Sequence, residues 1–112
     1  MANVVVDIFK DAAGGLRVWP PFVFLKRGAR GAGGDTLEWK NHTDKKLKVE
    51  FPPKFLELGT ETKIDPAKEG KPNKPGSRKS KLHNEAQAGT YKYHVTSLDG
   101  TLYARGSESG VD

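Results

Sequence analysis

The chain contains no cysteine. That absence excludes disulfides, thiolate metal sites and catalysis by a thiol, and it removes the usual sequence clue to redox compartment. Methionine occurs only as Met1, so a thioether ligand inside a folded domain is missing too. No stretch approaches the roughly 18 consecutive apolar residues of a membrane-spanning helix. Residues 2–9 are apolar but few, and they include Asp7, so they read as neither a span nor a signal peptide. Signatures of catalysis are equally scarce. No nucleophile stands beside a base, no carboxylates are paired in matched surroundings, and no His-Glu-x-x-His occurs. The glycine-rich stretch 28–34 lacks the Gly-Lys-Ser/Thr of a phosphate loop and leads into a strand, so no helix N-terminus stands ready for an anion. The expectation is a protein that is not an enzyme and carries no cofactor.

What the chain does have is turn chemistry and alternation. At 112 residues it has room for one domain, and its 13 glycines and 7 prolines among 29 % charged residues favour short strands joined by turns. Residues 4–9 read as a first strand with a turn at 11–15. Residues 18–25 are apolar enough for a buried strand, interrupted by Pro20 and Pro21, which belong at a strand start or a sheet edge because proline donates no amide proton. Leu37 and Trp39 alternate with Glu38 and Lys40, and Leu47, Val49 and Phe51 with Lys46, Lys48 and Glu50. Tyr91, Tyr93 and Val95 repeat the pattern and send Lys92 and His94 outward. Period two puts one face of each strand in a core and the other in water. Residues 54–58 can form one helical turn closed by Gly59, residues 60–64 a short strand, and 65–75 an exposed loop. Asp99-Gly100 marks a hairpin, and residues 107–112 read as a flexible tail. The whole of 1–112 is then a single all-β domain.

Two stretches are more specific. Gly34-Asp35-Thr36-Leu37-Glu38-Trp39-Lys40-Asn41, running on to Leu47-Lys48-Val49-Glu50-Phe51, and Ala88-Gly89-Thr90-Tyr91-Lys92-Tyr93-His94-Val95 resemble the two signature strands of the cupredoxins, the plastocyanin-like sandwiches that normally carry blue copper. The resemblance implies a cupredoxin-like, antiparallel Greek-key β-sandwich of about seven or eight strands. It also implies copper held at one end by two His, a Cys thiolate and an axial Met, the thiolate being what makes such a site blue. Laid on this sequence, the first His position falls on Leu47 and the Cys position on Val95. The remaining ligands would come from residues 96–100, which supply only Thr, Ser, Leu, Asp and Gly. The frame is kept and the blue copper site is lost. The family also implies export, to a periplasm for instance.

Two sets of residues could still carry a function. His42, His83 and His94 are the only histidines; a surface metal site built from them with Asp44 or Glu85 would suit imidazole-loving divalent metals, although no pair shows ligand spacing. Lys68, Lys71, Lys74, Arg78, Lys79 and Lys81 stand against Glu69 alone in residues 66–82, so this segment accounts for the entire net charge of +5. Clustered cations attract polyanions. The segment has no aromatic residue to stack on bases, and a solubilising loop would use the same residues. The sequence thus points to a metal-free binding or interaction module with a protein partner. Its alternatives are a metal-handling or electron-carrier protein with a non-standard His site, and a polyanion binder working through 66–82.

Overall fold

The computed structural model of the protein describes residues 3–28, 34–68 and 74–111. In it the chain forms β1 (Asn3–Lys10), β2 (Leu16–Trp19), β3 (Phe22–Leu25), β4 (Thr36–Asn41), β5 (Leu47–Glu50), β6 (Glu61–Ile64), β7 (Gly76–Lys81), β8 (Gly89–Ser97) and β9 (Tyr103–Val111), with no helix among the described residues. A four-stranded sheet runs β2-β1-β4-β7 and a five-stranded sheet runs β3-β9-β8-β5-β6. They enclose one apolar core, as a sandwich-like all-β fold requires.

Alternation places the inner strands as expected. Leu37, Trp39 and Asn41 on β4, Leu47 and Val49 on β5, and Tyr93, Val95 and Ser97 on β8 are buried, while Lys92 and His94 are exposed. Trp39 joins the layers: its ring stacks on Phe51 at 5.9 Å between centroids and meets Tyr93 edge-on at 5.8 Å. Phe55 extends the cluster, stacking on Tyr91 at 4.8 Å. The Asp99-Gly100 turn joins β8 to β9, with Gly100 at a φ of 76° that suits glycine.

Several expectations need correction. Among the described residues the sheets hold nine strands and are mixed, because β1 runs parallel to β4 and β3 parallel to β9. A wholly antiparallel arrangement is not what forms. Residues 107–111 are no loose tail; they complete β9, a central strand hydrogen-bonded between β3 and β8. Small residues suit that place, since the rings of Phe22 and Phe24 lie over Gly110, where an added Cβ would stand 3.0 and 3.3 Å from them. Residues 54–58 make turns and a bridge instead of a helical turn, with Lys54 at positive φ and Phe55 and Leu56 driven into the core. The stretch 18–25 is not uniformly buried. Pro20 and Pro21 lie where the chain passes from β2 in one sheet to β3 in the other, both edge strands, and Trp19, Phe22 and Phe24 face solvent.

Candidate functional site

The positions where the cupredoxin resemblance would place a His and a Cys come together. β5 and β8 pair antiparallel with Leu47 opposite Ser97 and Val49 opposite Val95. Leu47 and Val95 are therefore diagonal neighbours on one inner face, and both are 0 % exposed. Two alkyl side chains offer no lone pair to a metal. The residues present do not fit a copper centre.

The end of the sandwich beside them is closed by hydrogen bonds. Asn41, last residue of β4 and fully buried, donates from Nδ2 to the Lys45 carbonyl at 2.8 Å and the Asp65 carbonyl at 3.1 Å. Its Oδ1 accepts from the Thr43 amide at 2.9 Å and the Thr43 hydroxyl at 2.7 Å. Across the end, Asp99 Oδ1 accepts from the Ser97 hydroxyl at 2.6 Å and from the Thr101 amide and hydroxyl at 3.0 and 2.6 Å. Lys45 donates to its other oxygen. The loop that would supply ligands in a copper protein is thus a tight turn held by its own side chains.

The Lys45 ammonium, helped by the Ser97 and Thr101 donors, holds the Asp99 carboxyl far below the usual carboxylate range. A carboxyl with a lowered folded-state pKa stabilises the fold above its unfolded value, near pH 3.9, and loses that contribution as pH falls toward the folded value. Asp11 beside Arg17 and Asp44 beside Lys10 are lowered in the same direction. Asp99→Asn is expected to flatten the fall in melting temperature below about pH 4, so that variant and wild type converge in acid. Parallel melting curves from pH 7 to 2 would remove Asp99 from this role.

The three histidines occupy separate places. His42 follows β4 and its Nε2 lies 2.8 Å from Asp7 Oδ1. His83 Nδ1 accepts the Glu85 amide at 3.0 Å, and His94 stands outward on β8 opposite Glu50. Asp44 and Glu85 are ion-paired with Lys10 at 3.3 Å and Lys54 at 3.2 Å. Among the described residues no three His, Asp or Glu side chains gather as a metal would need.

The basic residues spread along an edge. Lys79 and Lys81 project from β7 on the outer face of the four-stranded sheet, and Lys79 stands opposite Glu38 of β4. Arg78 turns the other way and donates from Nε to the Thr62 hydroxyl on β6 at 3.1 Å. Lys68 and Lys74 are exposed, and Lys71 lies outside the described residues. Because β7 ends its sheet, these charges also blunt an open edge against strand pairing.

Sequence reasoning missed a surface feature on β3. Phe22 and Phe24 are 44 % and 62 % exposed and meet edge-to-face at 5.7 Å between centroids. Phe22 and Phe24 share one face and Val23 and Leu25 the other, so both faces are apolar and alternation alone could not select the inner one. No family model matches this sequence, and neither curated proteins nor solved structures give a significant match to it.

Proposed function

We propose that the chain is a metal-free, cupredoxin-like sandwich that acts as a non-catalytic binding or interaction module. The observation that carries this reading is the placement of Leu47 and Val95 as buried neighbours on β5 and β8. These are the positions that the two signature strands assign to metal ligands. Further support comes from the passage of one apolar stretch between the sheets at Pro20-Pro21, which puts β2 and β3 at two edges of a sandwich. The core does not depend on a metal for its filling. Trp39, Phe51, Phe55 and Tyr93 occupy it, and each such ring buries on the order of 150–250 Å². With the metal-binding end closed by Asn41 and Asp99, function falls to the outer faces and the edges.

Metal titration tests the reading. A ligand that binds the native state raises the melting temperature with its concentration. Stoichiometric Cu(II) or Zn(II) is expected to leave the midpoint unchanged, and Cu(II) is expected to give no intense thiolate charge-transfer band. Copper taken up in excess should be pale, weak and abolished by replacing His42, His83 and His94 together. A tight one-to-one site that survives loss of all three histidines would overturn the metal-free reading and favour a metal-handling protein.

A further inference from the structure

Among the described residues, four strands have a named strand on one side only: β2 and β7 in the four-stranded sheet, β3 and β6 in the five-stranded one, with the end of β7 also covered where the Glu57 amide donates to the Lys81 carbonyl at 3.0 Å. An unpaired edge is a template for another strand, and charged side chains are a common means of blunting it. β7 carries Arg78, Lys79 and Lys81, β6 carries Glu61 and Lys63, and β2 carries Arg17. β3 is Phe22-Val23-Phe24-Leu25 and has no charge at all. Among the described residues three edges are guarded by charge and one, β3, has neither a charge nor a second strand beside it.

The open edge has its backbone ready for pairing. The Glu108 amide donates to the Pro21 carbonyl at 2.9 Å, and β3 runs parallel to β9 with Phe22 beside Glu108 and Phe24 beside Gly110. In such a ladder successive residues direct their amide and carbonyl groups to opposite sides. Val23 and Leu25 therefore bond to β9, whereas Phe22 and Phe24 turn theirs toward the unpaired side. The same two residues expose their rings on the outer sheet face.

We propose that β3 is a self-association edge, through which two copies of the chain join antiparallel about a two-fold axis at Val23. The two five-stranded sheets then become one continuous sheet. A second copy is the occupant because Phe22-Val23-Phe24 reads the same in both directions. Antiparallel pairing centred on Val23 sets Phe22 opposite the partner's Phe24, and Phe24 opposite the partner's Phe22. Both are hydrogen-bonded pairs that use the outward amides, and both place ring against ring on one face, where aromatic cross-strand pairs stabilise a sheet. A two-fold contact of this kind closes at two copies. Charge points the same way. Two molecules of net charge +5 repel in general, and β7 against β7 would set cation on cation, whereas β3 lets them meet without a charged residue in the seam. A four-residue seam falls short of the roughly 800 Å² per partner of a standard interface, so the dimer is weak and dependent on concentration. This inference rests on sheet order and on β3 alone and does not need the copper-frame reading.

Sedimentation equilibrium of the full chain from micromolar to millimolar concentration tests it. The mass is expected to rise from 12.3 kDa toward twice that value. Phe22→Lys/Phe24→Lys and Phe22→Glu/Phe24→Glu each set like charges opposite one another and should weaken self-association at least about tenfold. Mixing the two variants should restore a heterodimer, since every Lys then faces a Glu. Phe24→Pro gives an independent check, because it removes an outward amide and leaves the bonds to β9 in place; it should also be monomeric, and its melting curve reports whether it is folded. A wild type that stays at monomer mass up to millimolar concentration overturns the proposal. So do charged variants that associate as tightly as wild type, or a Lys and Glu mixture that forms no heterodimer.

Discussion

Trp39→Ala is expected to lose about 3–5 kcal/mol of stability, the range for truncating a buried aromatic, while the adjacent Lys40→Ala changes it by no more than about 0.5 kcal/mol. Trp39 is 0 % exposed and touches Phe51 and Tyr93, so its ring holds the four-stranded sheet against the strand and turn residues of the other layer. Removing it leaves a cavity between two sheets that are each fixed by their own hydrogen bonds and cannot easily collapse into the gap. Trp39→Phe should cost far less than Trp39→Ala. It keeps a ring in the cluster and removes an indole N–H that is buried without a hydrogen-bond partner, and an unpaired buried donor carries a penalty of about 1–3 kcal/mol. Urea midpoints at unchanged m-value measure all three variants. Equal shifts for Trp39→Ala and Lys40→Ala would mean that the inward and outward faces of β4 are wrongly assigned.

How much of this architecture can be read from the chain depends on whether burial is one-sided. β4, β5 and β8 each set a polar face against an apolar one, and period two is then sufficient to say which residues meet in the core. β3 defeats the same reasoning because its exposed face is as apolar as its buried one, and only the position of β9 decides between them. β9 defeats it from the opposite side. Ser107-Glu108-Ser109-Gly110 has the composition of a tail, and it becomes a central strand because neighbours on both sides supply what it lacks: Phe22 and Phe24 cover Gly110, and β8 pairs along its length. Phe55 and Leu56 are buried by a turn with no period at all. At the candidate site, Leu47 and Val95 are legible as inward residues through the alternation of β5 and β8. Asn41 and Asp99 are recognisable as turn residues, but the bonds from Asn41 to Asp65 and from Asp99 to Lys45 cross 24 and 54 residues of sequence, and no local pattern announces them.

Asn41→Ala is expected to lose about 2–4 kcal/mol, because each buried backbone group left without a partner costs about 1–3 kcal/mol. The Lys45 carbonyl, 3.2 Å from the Thr43 hydroxyl, can take the single proton which that hydroxyl otherwise gives to Asn41. The Asp65 carbonyl and the Thr43 amide lose the Asn41 side chain that now reaches them at 3.1 and 2.9 Å. Asp65 has little freedom to turn its carbonyl to water, since it lies so close to Gly76 on β7 that even an added Cβ there would collide with it. Asn41→Asp separates the two halves of the amide. Its carboxyl can still accept from Thr43, but when ionised it sets negative oxygen against the Lys45 and Asp65 carbonyls, which favours the protonated form and raises the folded-state pKa. The folded variant then binds its proton more tightly than the unfolded chain, so its stability relative to wild type should rise as pH falls and be lowest at neutral pH, the reverse of the dependence expected from Asp99. Denaturant midpoints of wild type, Asn41→Ala and Asn41→Asp between pH 7 and 4 test both steps. A loss under about 1 kcal/mol for the alanine variant, or an Asn41→Asp deficit that stays constant with pH, would show that the closed end of the sandwich does not rest on the Asn41 amide.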